Sequence, residues 1–266
     1  MSATPVTGRP RPVWRQRTAW RHPEWTVALV ALACWALLAA LHARGSGLPD
    51  GHGPDAAHTA ADHMAMHHAA TQPAAEHTGS WLAAQGNWLL MAPAMMLPSA
   101  LPAARHVALN SRWRRRQRGS AVFVATYLAV WLLFGSVVVS IAGWAHLPTG
   151  ASWPLVLALV VAAGWELTAV KRRCLRGCHR TVPLPPDGWK ADAACARFGL
   201  RYGWSCFGAC WALMLPMALA GHASLLLMVV LTAIVVAQEG LVKGTRLGGA
   251  AALVLVVAAA TVAVAA

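Results

Sequence analysis

Cys206, Cys210, Met214 and Met217 stand at spacings of four, four and three within the apolar stretch Trp204 to Met217. On an α-helix those spacings stack side chains on one face, so two thiols and two thioethers would form a single line of sulfur. Soft sulfur donors select Cu(I) and similar ions, so the line reads as a metal site inside an apolar helix. The same residue types also fill cores well, and packing alone is the alternative reading. A second sulfur-bearing segment lies upstream, where Met91, Met95 and Met96 surround Pro93 and precede Pro98. Met91 and Met95 share a helical face, while Met96 is turned away by about 100°.

A third cluster has different chemistry. His63, Met64, Met66, His67 and His68 are five potential ligands in the seven residues 62 to 68. Imidazole suits Zn, Cu and Ni, whereas thioether is useful mainly for copper, particularly Cu(I) where free thiols would oxidise. The surrounding segment, 44–80, holds six histidines, several Gly and Pro, and no Cys. It is expected to capture metal while lacking the apolar residues for a core of its own; a low-complexity linker is the alternative.

Weaker candidates remain. Cys174, Cys178 and His179 form a C-x3-C-H pattern that would put both thiols on one helical face, but a zinc site needs more ligands. Glu166 and Glu239 are costly in an apolar run; their spacing to Lys171 and Arg172, and to Lys243, reads as ion pairing. Cys34 and Cys195 sit in no pattern.

The elements that must position these residues follow from composition. The chain has 266 residues, 58% of them hydrophobic and only 12% charged, with a mean hydropathy of +0.50. That composition predicts an all-α, polytopic transmembrane helix bundle in contact with a lipid bilayer. Apolar runs at 25–43, 81–104, 120–143, 154–170, 203–221, 223–242 and 247–266 make about seven spans. The number falls to six if the first is a cleaved signal or the last does not cross. The organisation read from this is a basic tail over 1–24, a first transmembrane helix over 25–43, a His/Met-rich extracytoplasmic loop over 44–80 and a six-helix membrane domain over 81–266.

The net charge of +13 would suggest nucleic acid. With a cytoplasmic N-terminus, however, 21 of the 22 Lys and Arg fall in cytoplasmic segments and only Arg44 falls outside. The charge is therefore topology, and nucleic acid is excluded as a partner. A multi-pass protein of the cell membrane, inner or plasma, is expected. Trp25, Trp81, Trp144, Trp153 and Trp204 lie near the expected span ends, as an aromatic belt requires. Counted by helical rise, Met91 lies about 15 Å from its span's start and Met214 about 18 Å from the opposite side. Spans two and five would then bring sulfur to one level, if they pack together.

No nucleophile triad, Walker loop, dinucleotide glycine pattern or zinc-protease helix is present, so no enzyme is expected. With these residues assembled, the chain resembles the predicted metal-binding integral membrane proteins catalogued as DUF2182. The resemblance covers about residues 81–247. It rests on Trp88, Met91, Met95, Met96, Pro98 and Ser99; on Trp165, Glu166, Leu167 and Thr168 with Lys171, Arg172, Cys174 and Leu175; and on Gly203, Trp204, Cys206, Cys210, Trp211, Leu213 and Met214. It implies a polytopic membrane protein that binds copper, in the manner of a copper chaperone, with Met91, Met95, Met96, Cys206, Cys210 and Met214 as suspected ligands. Relatives often carry a further Cys where this chain has Ala209.

The expected role is thus copper binding, Cu(I) in the bundle with Zn or Cu(II) also open to the loop, and delivery to a cuproprotein or other membrane partner. Three readings compete with it. A metal transporter would use Cys174 and Cys178 as an inner exit. A thiol-disulfide oxidoreductase would use Cys206 and Cys210, although an i, i+4 pair is awkward disulfide geometry. A scaffold would use the sulfurs only for packing.

Overall fold

A computed structural model describes residues 23–45, 73–144, 152–220, 225–241 and 246–264. Every regular element among them is helical. In chain order these are α1 (Trp25–Gly45), α2 (Pro73–Asn110), a single 3-10 turn (Trp113–Arg115), α3 (Arg116–Trp144), α4 (Ser152–Glu166), α5 (Ala169–Cys178), α6 (Trp189–Ala220), α7 (Leu225–Gly240) and α8 (Gly248–Val264). The expected all-α class is what the described residues show.

Among the described residues, three segments are long and apolar enough to cross a membrane: Trp25–Ala43, Trp113–Ile141 and Trp189–Leu219. The pair α4 and α5 makes a fourth if it counts as one broken span; α7 and α8 are apolar but shorter. Of the seven expected spans, length and composition support three or four among the described residues. The outer faces carry apolar side chains at high exposure, including Leu32, Leu133, Leu226 and Leu253. Trp25, Trp144, Trp153 and Trp204 are exposed too. Such a surface suits hydrocarbon rather than water.

α2 is long yet falls outside that set, since prolines and small residues dilute its apolar run, and one face of it is turned to protein. Ala92, Ala94, Met95, Met96, Leu97, Ala100 and Ala104 are all fully buried. Pro93, Pro98 and Pro102 lie inside it. Each proline removes the N–H that would bond the carbonyl four residues earlier, so Pro98 frees the carbonyl of Ala94. The indole of Trp35, from α1, donates to that carbonyl at 2.8 Å.

α3 packs against both α2 and α6. At the first contact the Trp88 indole N–H donates to the Trp131 carbonyl at 2.9 Å. A Cβ on Gly135 would lie 1.9 Å from the Trp88 Nε1, so this position requires glycine. Gly135→Ala is expected to cost about 1–3 kcal/mol by overpacking. Gly164→Ala, where an added Cβ meets nothing within 4 Å, is the matched control; equal thermal shifts for the two in detergent would refute the argument. At the second contact Gly199 and Gly203, one turn apart, let α6 approach the α3 backbone, a small-residue seam common between helices in lipid. A Cβ on Gly199 would meet the Phe123 carbonyl oxygen at 2.6 Å. Phe123, Tyr127, Phe198 and Tyr202 fill the space beside that seam, with ring centroids 5.3 to 6.2 Å apart.

Two boundaries depart from the hydropathy reading. The run 154–170 is not one helix, since α4 ends at Glu166 and α5 leaves at 74°. Thr168 caps α5 by accepting the Lys171 amide, as a residue of its type does at a helix start. The segment 171–202, expected between spans, is largely helical: it contains most of α5 and the first four turns of α6. α5 buries Lys171, Leu175 and Cys178 and exposes Arg172, Arg173 and Arg176. At its start α6 is tied down by Asp192, which pairs with Arg115 and, at 2.9 Å, with Arg118.

Candidate metal centre

The donors stand where three helices meet. α6 supplies Cys206 and, one turn on, Cys210; α7 supplies Glu239; α5 ends nearby at Cys178. Cys206 Sγ, Cys210 Sγ and a Glu239 carboxylate oxygen lie within 4.8 Å of one another, and all three residues are buried. Cys210 Sγ is 3.5 Å from Glu239 Oε1. The other carboxylate oxygen accepts from the Tyr202 hydroxyl at 3.4 Å. Cys206 Sγ sits 3.3 Å from the Tyr127 hydroxyl, which also donates to the Met96 carbonyl at 3.2 Å.

That hydroxyl links the two sulfur-bearing segments. α2 and α6 also meet where the Tyr202 hydroxyl donates to the Ser99 carbonyl at 3.3 Å and where the rings of His106 and Phe198 touch. Met91, Met95 and Met96 on α2, and Met214 and Met217 on α6, are all buried in the same core as the two thiols. The line of sulfur is thus an inward face rather than a lipid-facing one. His63, Met64, Met66, His67 and His68 lie outside the described residues.

Glu166 and Glu239 part company. Glu166 pairs with Lys171, as its spacing suggested, with both side chains fully enclosed. Gln238 Nε2 completes the arrangement by donating to Glu166 Oε2 at 2.7 Å. Lys243, the partner suggested for Glu239, lies outside the described residues. Among the described residues no cation pairs with Glu239; its neighbours are thiols and a phenol. Adjacent residues of α7 therefore serve two different purposes, Gln238 a structural ion pair and Glu239 the thiols. The sequence signal for Glu239 was present, an ionisable residue in an apolar helix, but its partners come from other helices.

Cys178 is the second addition. Its Sγ lies 3.9 Å from the same Glu239 oxygen that Cys210 approaches. Cys174, one turn earlier, packs on α6 so closely that a Cβ on Gly208 would meet its Sγ at 2.6 Å. The indole of Trp165 donates to the Gly208 carbonyl at 3.2 Å, which fixes α4 to α6 at the same level. The six cysteines are all unpaired by disulfide.

Two thiols and one carboxylate, dry and convergent, fit a thiophilic ion. Sulfur pairs suit Cu(I) and Zn, and the oxygen extends the set toward harder ions. No match was found among curated proteins, and none among solved structures. The family model described as PpoB2, copper chaperone, matches residues 85–262. That interval contains Met91, Met95, Met96, Cys178, Cys206, Cys210, Met214, Met217 and Glu239, and the chain belongs to this copper chaperone family.

Proposed function

We propose that this protein sits in the cell membrane with its N-terminus in the cytoplasm, binds copper as Cu(I) between Cys206 and Cys210, and passes the ion to a protein partner. The supporting observation is the buried meeting of two thiols and the Glu239 carboxylate inside a chain of the copper chaperone family. Met91, Met95, Met96, Met214 and Met217 supply a thioether lining. They offer soft, uncharged donors that hold Cu(I) without adding negative charge to an apolar interior. The segment containing His63, Met64, Met66, His67 and His68 collects the ion outside, taking Cu(II) or Zn as well. The protein carries out no bond chemistry on a substrate; its cargo is the ion.

The test is metal analysis and Cu(I) titration of the detergent-purified full chain. It is compared with a form lacking residues 44–72 and with Cys206→Ala/Cys210→Ala. Tight copper lost only with the thiols is the expected result. Copper lost only with the outer segment would move the site there, and no copper in any form would overturn the reading.

A further inference from the structure

The thiol pair is closed off from solvent, so a bound ion needs a way out, and the burial of neighbouring donors forms a gradient. Cys206 and Cys210 are 0% exposed, Glu239 is 4% and Cys178 is 9%. His179, the next residue, is exposed. A single carboxylate oxygen, Glu239 Oε1, faces Cys210 Sγ at 3.5 Å and Cys178 Sγ at 3.9 Å. Cys174 stands one turn before Cys178 on the same short helix and is half-buried. After the 74° break that follows α4, this helix turns its arginines outward and Cys178 inward, toward Glu239.

We infer that Cys178 is the outgoing ligand: copper held by Cys206 and Cys210 passes to Cys178, with Glu239 facing both stations, and leaves over α5. This rests on the copper reading above. In the exchange the Cys178 Sγ–Cu bond forms and the Cys206 Sγ–Cu bond breaks, while Cys210 holds the ion throughout. The proton released by the Cys178 thiol is taken up by the Cys206 thiolate. Copper keeps its oxidation state, so no oxidant or reductant is required. Ligand-by-ligand exchange avoids releasing a bare ion into an apolar interior, which would be prohibitively costly.

The experiment is release kinetics. Full-length protein loaded with one equivalent of Cu(I) is mixed with excess of the water-soluble chelator bathocuproine disulfonate, and the coloured complex is followed in time. Cys178→Ser and Cys178→Ala are expected to load as wild type does and to release copper at least about tenfold more slowly, an effect on the scale of a lost metal-site neighbour. Cys34→Ser, a substitution outside the centre, is expected to release at the wild-type rate. Release from the Cys178 variants at the wild-type rate overturns the inference. Loss of loading with an intact helical spectrum overturns it too, because Cys178 would then belong to the resting site. Should both variants fail to fold, alkylating loaded wild-type protein with N-ethylmaleimide gives the same reading. Modification of Cys178, scored by mass spectrometry, must leave copper bound and slow its release, and any other result overturns the inference. A wild-type protein that takes up no copper fails the copper reading itself, which keeps the two failures distinct.

Discussion

Lys171→Met is expected to lower the stability of the fold by about 3–5 kcal/mol, the cost of leaving one member of a buried ion pair behind. Lys171 and Glu166 are both enclosed, at 1% and 0% side-chain exposure. Methionine preserves most of the volume and the apolar stem of the lysine, so the loss isolates charge from packing. Among the described residues, the remaining Glu166 would retain only Gln238 Nε2 as a donor, and one neutral amide does not replace an ammonium. Adding Glu166→Leu should recover most of the loss, since an apolar pair of similar volume removes the stranded charge. Recovery stays incomplete because Gln238 then loses its acceptor. Thermal unfolding in detergent reads both variants, and a double substitution no better than Lys171→Met alone would refute the pairing argument.

The second large effect is on the cargo. Cys206→Ala and Cys210→Ala are each expected to weaken Cu(I) binding by more than about 100-fold, beyond what loss of a supporting neighbour does. Combining them should add far less than the product of the two, because a two-thiol site is already broken when one thiol is gone. The fold should survive, since each change removes one sulfur from a core that is otherwise unchanged. Competition titration against a Cu(I) chelator of known affinity gives the values. Full retention of affinity in either single variant would remove that thiol from the site.

Much of this was legible beforehand, and the boundary of legibility has a physical cause. The spacing of Cys206, Cys210, Met214 and Met217 reports the geometry of their own helix, and all four do lie on its buried side. Glu166 and Lys171 are five residues apart across a helix break, near enough for composition to suggest the pair. Glu239 is different. Its partners Cys210, Tyr202 and Cys178 are 29, 37 and 61 residues away, so no local period could assign it, and the nearby Lys243 drew the assignment instead. The break between α4 and α5 escaped the hydropathy reading because an averaged window does not register Thr168, a single capping residue in an apolar run. Hydropathy marks α2 as an apolar run over 81–104, whereas the helix is longer, Pro73–Asn110, and its ends carry too few apolar residues for hydropathy to mark them.

The bond from Trp35 to Ala94 bears on how a proline-interrupted helix is kept intact in an apolar setting. Trp35 and Ala94 are 59 residues apart in the chain and lie on different helices. The Trp35 indole supplies the donor that the Ala94 carbonyl lacks because Pro98 has no amide hydrogen. α1 therefore contributes a single polar contact that completes the hydrogen bonding of another helix. That helix carries Met95 and Met96, so the contact ties α1 to the thioether side of the metal centre.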